Sequence, residues 1–132
     1  VQIKKSGCWL EIVYLVVPTL NDSDAEFTEL VRWVKANLGT DTPVHFTRFH
    51  PQYLLRHLPP TPQQTLERAH AIGCAEGLEY VYLGNIPGHP AESTYCPGCG
   101  KVLIRRRGYR ISQYNLQGNL CPYCQRTIPG IF

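Results

Sequence analysis

Two Cys-x-x-Cys pairs are the residues of this chain best suited to chemistry. Cys96 and Cys99 form the first pair, and Cys121 and Cys124 form the second after 21 intervening residues. The short turn inside each pair brings two sulfurs to the same side, and proline and glycine residues supply that turn. Two such pairs give the four tetrahedral ligands that Zn²⁺ prefers in structural sites. The sequence therefore predicts a four-cysteine metal site with zinc as its ion.

Structural disulfides or redox-active pairs are the alternatives for these four cysteines. The first seven residues lack the apolar core of a signal peptide, and no run of eighteen apolar residues predicts a membrane span. Thiols without a secretory signal indicate a reducing compartment, where cysteines bind metal more often than they form disulfides. We therefore expect a cytoplasmic protein with no membrane partner. Cys8 and Cys74 stand alone, and we expect both to be buried as small apolar residues.

The first part of the chain reads as alternating strands and helices. An apolar, β-branched run over 9–17 is typical of a strand covered on both faces. Ser23 and Glu26 form a capping box, which predicts the start of a helix that ends before Gly39. A second strand is expected over 43–49, a second helix from a Thr61 capping box to near Gly77, and a third strand over 79–83.

This order, β-α-β-α-β, predicts three parallel strands with both helices on one side. Such a sheet lacks cover on its second face and has two open edges. We therefore expect the α/β class, with residues 1–90 forming the C-terminal part of a partial (β/α) barrel. Residues 91–132 are expected to form a four-cysteine ribbon. The chain contains no methionine, even at position 1, which favours the downstream part of a longer protein.

Polar residues near the carboxyl ends of the predicted strands are the candidates for binding, because ligands of α/β sheets lie at those ends. Arg48 is the most informative, since a buried guanidinium needs an anion as partner. Turn and capping roles for the asparagines, and hydrogen-bonded structural roles for the histidines, are the alternatives. The candidates for binding a cofactor or substrate are Asn21, His45, Arg48, His50 and Asn85.

Several functional classes find no support in the sequence. The glycines never fall in a dinucleotide-binding or Walker pattern, and no Gly-x-Ser-x-Gly elbow is present. A formal net charge of +3 does not by itself indicate nucleic acid. The basic run Arg105–Arg107, with Tyr109 and Arg110, is explained by a solvated hairpin or by phosphate contacts. The residues supply a scaffold and a metal site but no complete catalytic set.

The motifs occur in an order that resembles a known family. The chain is similar throughout to the C-terminal half of the radical S-adenosylmethionine enzymes of the AmmeMemoRadiSam system, which are relatives of the pyruvate formate-lyase activating enzymes. The segments that carry the resemblance are Pro18–Asp22, Pro43–Pro51, Pro59–Pro62, Tyr80–Gly88, Thr94–Gly100, Arg107–Tyr109, Cys121–Cys124 and Ile128–Gly130.

The resemblance implies a partial barrel that binds S-adenosylmethionine and a [4Fe-4S] cluster and generates a 5′-deoxyadenosyl radical. It implies that Asn21, Arg48, His50 and Asn85 line the cofactor or substrate side. An upstream barrel half would be the partner, and the ribbon would cover the barrel mouth or dock a protein. The family's Cys-x-x-x-Cys-x-x-Cys motif is absent from these 132 residues, so this chain cannot hold that cluster by the family's means.

Two further readings stay open. The four cysteines could hold a second iron–sulfur cluster, which is rarer than zinc in such a setting. The chain could instead be a non-catalytic zinc-ribbon module that binds nucleic acid or protein through Arg105–Arg107 and Tyr109. A redox role is less favoured, because neither cysteine pair has a thioredoxin-like arrangement of strand and helix start.

Overall fold

The computed structural model describes residues 1–131, which form a mixed α/β fold with two three-stranded sheets. Short 3₁₀ turns lie at Tyr53–Leu55 and Pro90–Glu92. The helices and strands, numbered in chain order, are α1 Gln2–Lys5, β1 Ile12–Val16, α2 Asp24–Leu38, β2 Val44–Arg48, α3 Gln63–Ala75, β3 Val81–Gly84, β4 Thr94–Tyr95, β5 Val102–Arg107 and β6 Arg110–Tyr114.

The first sheet has the order β1-β2-β3, and both pairings are parallel. Tyr14 lies opposite Phe46, and Phe46 lies opposite Leu83. This register aligns the carboxyl ends of the three strands at one edge, with α2 and α3 as the connections. The predicted β-α-β-α-β order with a parallel sheet is confirmed.

Helix α2 begins as its sequence predicts. The Ser23 hydroxyl accepts a hydrogen bond from the Glu26 backbone N–H, and the Glu26 carboxylate accepts one from the Ser23 N–H. Because both bonds satisfy backbone donors at the helix start, the capping box defines where the helix begins. The helix ends at Leu38, and Gly39 follows with a φ of 92°. The buried residues of the predicted apolar stripe are Phe27, Val31, Val34 and Leu38.

These side chains build the main core against one face of the sheet. Phe27 of α2 meets Phe46 of β2 with ring centroids 5.5 Å apart, and Tyr14 contacts both rings edge to face. Leu66 and Ala69 of α3 are fully buried in the same cluster. The helices therefore cover one face of the sheet, with Ile12 and Tyr14 of the edge strand partly buried beneath them.

The capping box predicted for α3 is wrong. Pro62 is the N-cap residue, and no side chain caps this helix. The Thr61 hydroxyl is fully buried and bonded elsewhere: it accepts a hydrogen bond from Phe49 N and donates one to Val16 O. Thr61 therefore links the last residue of β1 to the residue that follows β2.

The second face of the sheet is open at β1. The predicted strand over 9–17 is shorter, at Ile12–Val16, and is not covered on both faces. Val13 is 67% exposed and Leu15 is 45% exposed. The expected double cover is wrong for this chain, because no element within residues 1–131 packs on this part of the sheet.

The cysteine-bearing part forms its own antiparallel sheet, in the order β4-β5-β6. The β character expected around Arg105–Arg107 is confirmed by the β5–β6 hairpin. Its core joins the first sheet through Tyr80, which precedes β3. The other members of this second core are Cys96, Leu103, Ile104, Leu116, Cys121 and Ile128. No helix within residues 1–131 has the length and apolar character needed to cross a membrane.

Candidate metal centre

The two cysteine pairs lie in loops with the same backbone pattern. In the first, Gly100 N donates to Cys96 O over 2.8 Å, and Cys96 N donates to Lys101 O over 2.9 Å. In the second, Gln125 N donates to Cys121 O, and Cys121 N donates to Arg126 O, each over 2.9 Å. The same pair of backbone hydrogen bonds therefore fixes the loop that carries the two sulfurs in each case. Each loop contains one residue in the left-handed region, four positions after its first cysteine.

All four sulfurs converge on one point. Their Sγ atoms lie within 4.8 Å of one another, with 3.5 Å between Cys96 and Cys124 and 3.7 Å between Cys99 and Cys121. Tetrahedral coordination with metal–sulfur bonds of about 2.3 Å requires sulfurs roughly 3.8 Å apart. The four cysteines therefore could hold a metal ion, and their spacing fits a single one. All are free thiols, so the disulfide alternative does not describe this structure.

The electrostatics of the cluster favour a cation. Burial of Cys121 opposes ionisation, but hydrogen bonds from the backbone N–H groups of Tyr123 and Cys124 and from the Cys96 and Cys124 side chains together outweigh it and lower its pKa to about 7. The N–H of Arg126 favours the Cys124 thiolate, yet burial and the three neighbouring sulfurs raise its pKa to about 12. The pKa of Cys99 is also raised. Four thiolates can coexist here only when a cation neutralises their repulsion.

Gln125 carries the backbone strain of the second loop. Its φ is 61°, whereas the equivalent position of the first loop is Gly100 with a φ of 70°. An L-residue other than glycine pays about 1 kcal/mol or more for this conformation. We expect Gln125→Gly to raise the free energy of unfolding of the metal-loaded protein by about 0.5–1 kcal/mol. Denaturant unfolding measures the change, and Gly100→Ala, which introduces the same strain, should lower stability; a destabilising Gln125→Gly would contradict the prediction.

The two remaining cysteines are not buried, contrary to expectation. Cys8 follows α1 and Cys74 lies in the last turn of α3, and both are exposed. The apolar stripe of α3 instead uses Leu66, Ala69 and Gly73, so Cys74 falls outside it. The Cys74 sulfur lies 3.8 Å from His70 Nδ1, and partial burial raises its pKa.

Asn21 and Asn85 hold the backbone at the carboxyl ends of the strands. Asn21 Oδ1 accepts from Val17 N over 2.7 Å, and its amide donates to Leu15 O. The Asn85 amide donates to Arg48 O over 3.1 Å, and its φ is 60°. The structure therefore shows both asparagines in the turn-stabilising role that was their alternative.

Arg48 and His50 do not lie on the open face of the sheet. Arg48 lies two positions after the core residue Phe46, so both side chains are on the same face of β2. The Arg48 Nε donates a hydrogen bond to Thr61 O over 2.9 Å. Its hydrogen-bond partner is thus a backbone carbonyl, and the half-buried guanidinium forms no ion pair within residues 1–131. His50 is exposed in the loop after β2. A cofactor- or substrate-binding role for either stays a prediction.

His45 is the candidate that lies on the open face. Its Nε2 is 2.7 Å from Glu11 Oε2, and its ring stacks on Tyr82 with centroids 4.8 Å apart. His45 also lines a cavity together with Asn85. The structure thus brings two of the five candidates to one cavity, and it leaves Asn21, Arg48 and His50 elsewhere.

Sequence reasoning did not single out Glu11 and Tyr82, and it did not place Arg106 of the basic run in the cavity of His45. Side-chain alternation along β2 places His45 and Thr47 on the face opposite Phe46. The sequence alone therefore already indicated that His45 and Thr47 share one face of the sheet. No local pattern places Arg106 of the ribbon over the first sheet, because that position depends on how the two sheets pack.

One relative shares most of this chain. The Uncharacterized protein MJ0808 of Methanocaldococcus jannaschii is 45% identical over 127 residues. The match covers 95% of this chain, which spans only 38% of the length of that relative. No family model and no solved structure matches the chain.

Proposed function

We propose that the chain is the C-terminal portion of a radical S-adenosylmethionine enzyme of the activating-enzyme type. It supplies the last strands of a partial (β/α) barrel and a ribbon that holds a structural zinc ion. The observation that carries the proposal is the parallel sheet whose helices cover only one face.

The composition of the open face, including the edge strand β1, suits the interior of a barrel. It combines the polar groups of His45, Thr47 and Tyr82 with the exposed apolar residues Val13 and Leu15 of the edge strand. Parallel sheets normally have both faces covered. Further strands beside β1 would continue the sheet and enclose this face. The much greater length of the archaeal relative is in keeping with such an arrangement.

Zinc fits the four cysteines better than a second iron–sulfur cluster. A single ion would lie at the centre of the four sulfurs, whereas a cluster would insert several iron and sulfide atoms between them and hold the sulfurs farther apart. The spacing within 4.8 Å leaves room for one ion. The assignment predicts one equivalent of zinc and no visible iron–sulfur absorption in anaerobically purified protein.

The radical-generating [4Fe-4S] cluster does not fit the residues present. The four clustered cysteines serve the ribbon, and Cys8 and Cys74 lie alone. The proposed chemistry therefore needs cysteines supplied by another part of the protein. Within this chain, His45 and Tyr82 are the groups placed to contact a molecule on the open face.

Reductive cleavage of S-adenosylmethionine tests the proposal. The natural polypeptide that carries this chain, reconstituted anaerobically with iron and sulfide, is expected to release 5′-deoxyadenosine when reduced. The 132-residue chain treated in the same way is expected to release none. The amounts of 5′-deoxyadenosine released by the His45→Ala and Arg48→Ala variants of the natural polypeptide compare the contribution of the open face with that of the helix side. Iron loading without 5′-deoxyadenosine would overturn the proposal.

A second candidate function is favoured by the distribution of charge. Six of the 13 Lys and Arg residues lie after position 92, whereas all 10 Asp and Glu residues lie at or before it. The small overall charge therefore hides an acidic α/β part and a basic ribbon. Arg105, Arg107, Tyr109 and Arg110 are exposed on the β5–β6 hairpin. This surface suits the phosphates and bases of single-stranded nucleic acid.

A salt titration separates this candidate from the first. We expect a nucleic-acid module to bind a labelled oligonucleotide at low salt and to weaken steeply as salt rises. Replacing Arg105 and Arg107 by glutamine should reduce that salt dependence, whereas Arg32→Gln on α2 should not. Absence of binding at low salt would eliminate this candidate.

A further inference from the structure

A cleft separates the open face of the first sheet from the β5–β6 hairpin. It consists of two adjoining cavities of about 380 Å³ and 520 Å³. Both are lined by Glu11 of the segment before β1, Tyr82 of β3 and Arg106 of β5. These three residues therefore lie where the two cavities meet.

The carboxylates of the cleft already have hydrogen-bond donors. Glu11 accepts from Trp9 Nε1 over 2.8 Å and lies against His45. Glu92 accepts from the backbone N–H groups of Gly88 and Gly108 over 2.7 and 3.0 Å. Neither carboxylate forms an ion pair with Arg106.

Arg106 is the cation of the cleft without an anionic partner. Its Nη1 donates to Thr94 Oγ1 over 2.6 Å, and that oxygen lies 3.0 Å from the Tyr82 hydroxyl. No carboxylate within residues 1–131 lies within 4.0 Å of it. A half-buried guanidinium held in place by neutral hydroxyls keeps donors available for a carboxylate or phosphate.

The walls of the cleft supply aromatic surface. Trp9, Tyr80, Tyr82 and Tyr114 line the smaller cavity, with aliphatic side chains of the ribbon core between them. The buried Tyr80 hydroxyl has no hydrogen-bond partner within residues 1–131. Such unsatisfied groups are uncommon in folded proteins, and a ligand atom is one explanation for them.

We propose that this cleft binds a small aromatic anion. Its ring lies between the tyrosine and tryptophan side chains, and its carboxylate or phosphate group pairs with the Arg106 guanidinium. Apolar walls with a few convergent polar groups are the usual composition of such sites. The inference rests on this chain alone and does not depend on radical chemistry.

Binding of benzoate, phenyl phosphate and neutral benzamide to the zinc-loaded chain tests the proposal. Saturable chemical-shift changes of Trp9 and Tyr82 report binding, and the first two probes distinguish a carboxylate ligand from a phosphate one. We expect at least one anion to bind at least tenfold more tightly than benzamide. We expect Arg106→Gln to remove that preference, and Arg106→Lys to retain part of it.

Arg105→Gln is the matched control, because Arg105 is the exposed neighbour on the same strand and contacts Gln113. It should leave the affinity within twofold. Far-UV circular dichroism and zinc content establish that each variant is folded. Equal binding of benzamide and the anions, equal losses in the Arg105 and Arg106 variants, or no saturable binding in the folded wild type would each overturn the proposal.

Discussion

Cys121→Ser is expected to abolish metal binding and to unfold the ribbon while the α/β part remains folded. Cys121 is fully buried, and its sulfur is one of the four in the cluster. A structural zinc site contributes about 10–16 kcal/mol of apparent free energy in small metal-dependent peptides. A segment of about 40 residues rarely folds on apolar burial alone, so the ribbon should not survive without its metal.

Amide hydrogen exchange with metal analysis measures this effect. We expect metal content to fall from one equivalent to none, and Leu103 and Leu116 to lose their protection. Phe27 and Phe46, in the other core, should keep theirs. Cys74→Ser is the control, since that exposed thiol lies outside the cluster and should leave metal content unchanged. Full protection of Leu103 in a metal-free protein would refute the four-cysteine site as a determinant of the fold.

Thr61→Val is expected to lower the free energy of unfolding by about 2–4 kcal/mol. Valine keeps the shape of the side chain but removes the oxygen that accepts from Phe49 N over 2.8 Å and donates to Val16 O over 2.6 Å. Both backbone groups then lose this buried partner, and each unsatisfied group costs about 1–3 kcal/mol. The substitution thus removes the link between the end of β1 and the residue that follows β2.

Urea unfolding followed by far-UV circular dichroism measures the loss. Thr28→Val on α2 is the matched control, because its hydroxyl donates only to Asp24 O of its own helix and lies near solvent. We expect the control to change stability by less than about 0.5 kcal/mol. Equal effects of the two substitutions would show that the buried hydrogen bonds of Thr61 contribute no more than the exposed one of Thr28, which would contradict the prediction.

Features encoded within a few residues were predictable. The Ser23 capping box and the apolar stripe of α2 are local patterns with helical spacing, and the structure contains both. The cysteine pairs also follow from spacing, because each short loop by itself places two sulfurs together. The similar pattern at Thr61 led to a wrong prediction. A hydroxyl near the start of a helix can form its hydrogen bonds with the helix or with a neighbouring strand, and the local sequence is the same in both cases.

The sequence by itself determined the order of strands and helices, the parallel sheet and the four metal ligands. Only the tertiary structure decided which polar groups meet. Thr61 reaches Val16 across 45 positions, and His45 reaches Glu11 across 34. Such contacts depend on strand register and on the packing of one sheet against the other, which no local periodicity encodes. For the same reason, the Arg106 cleft exists only because the cysteine ribbon packs against the first sheet.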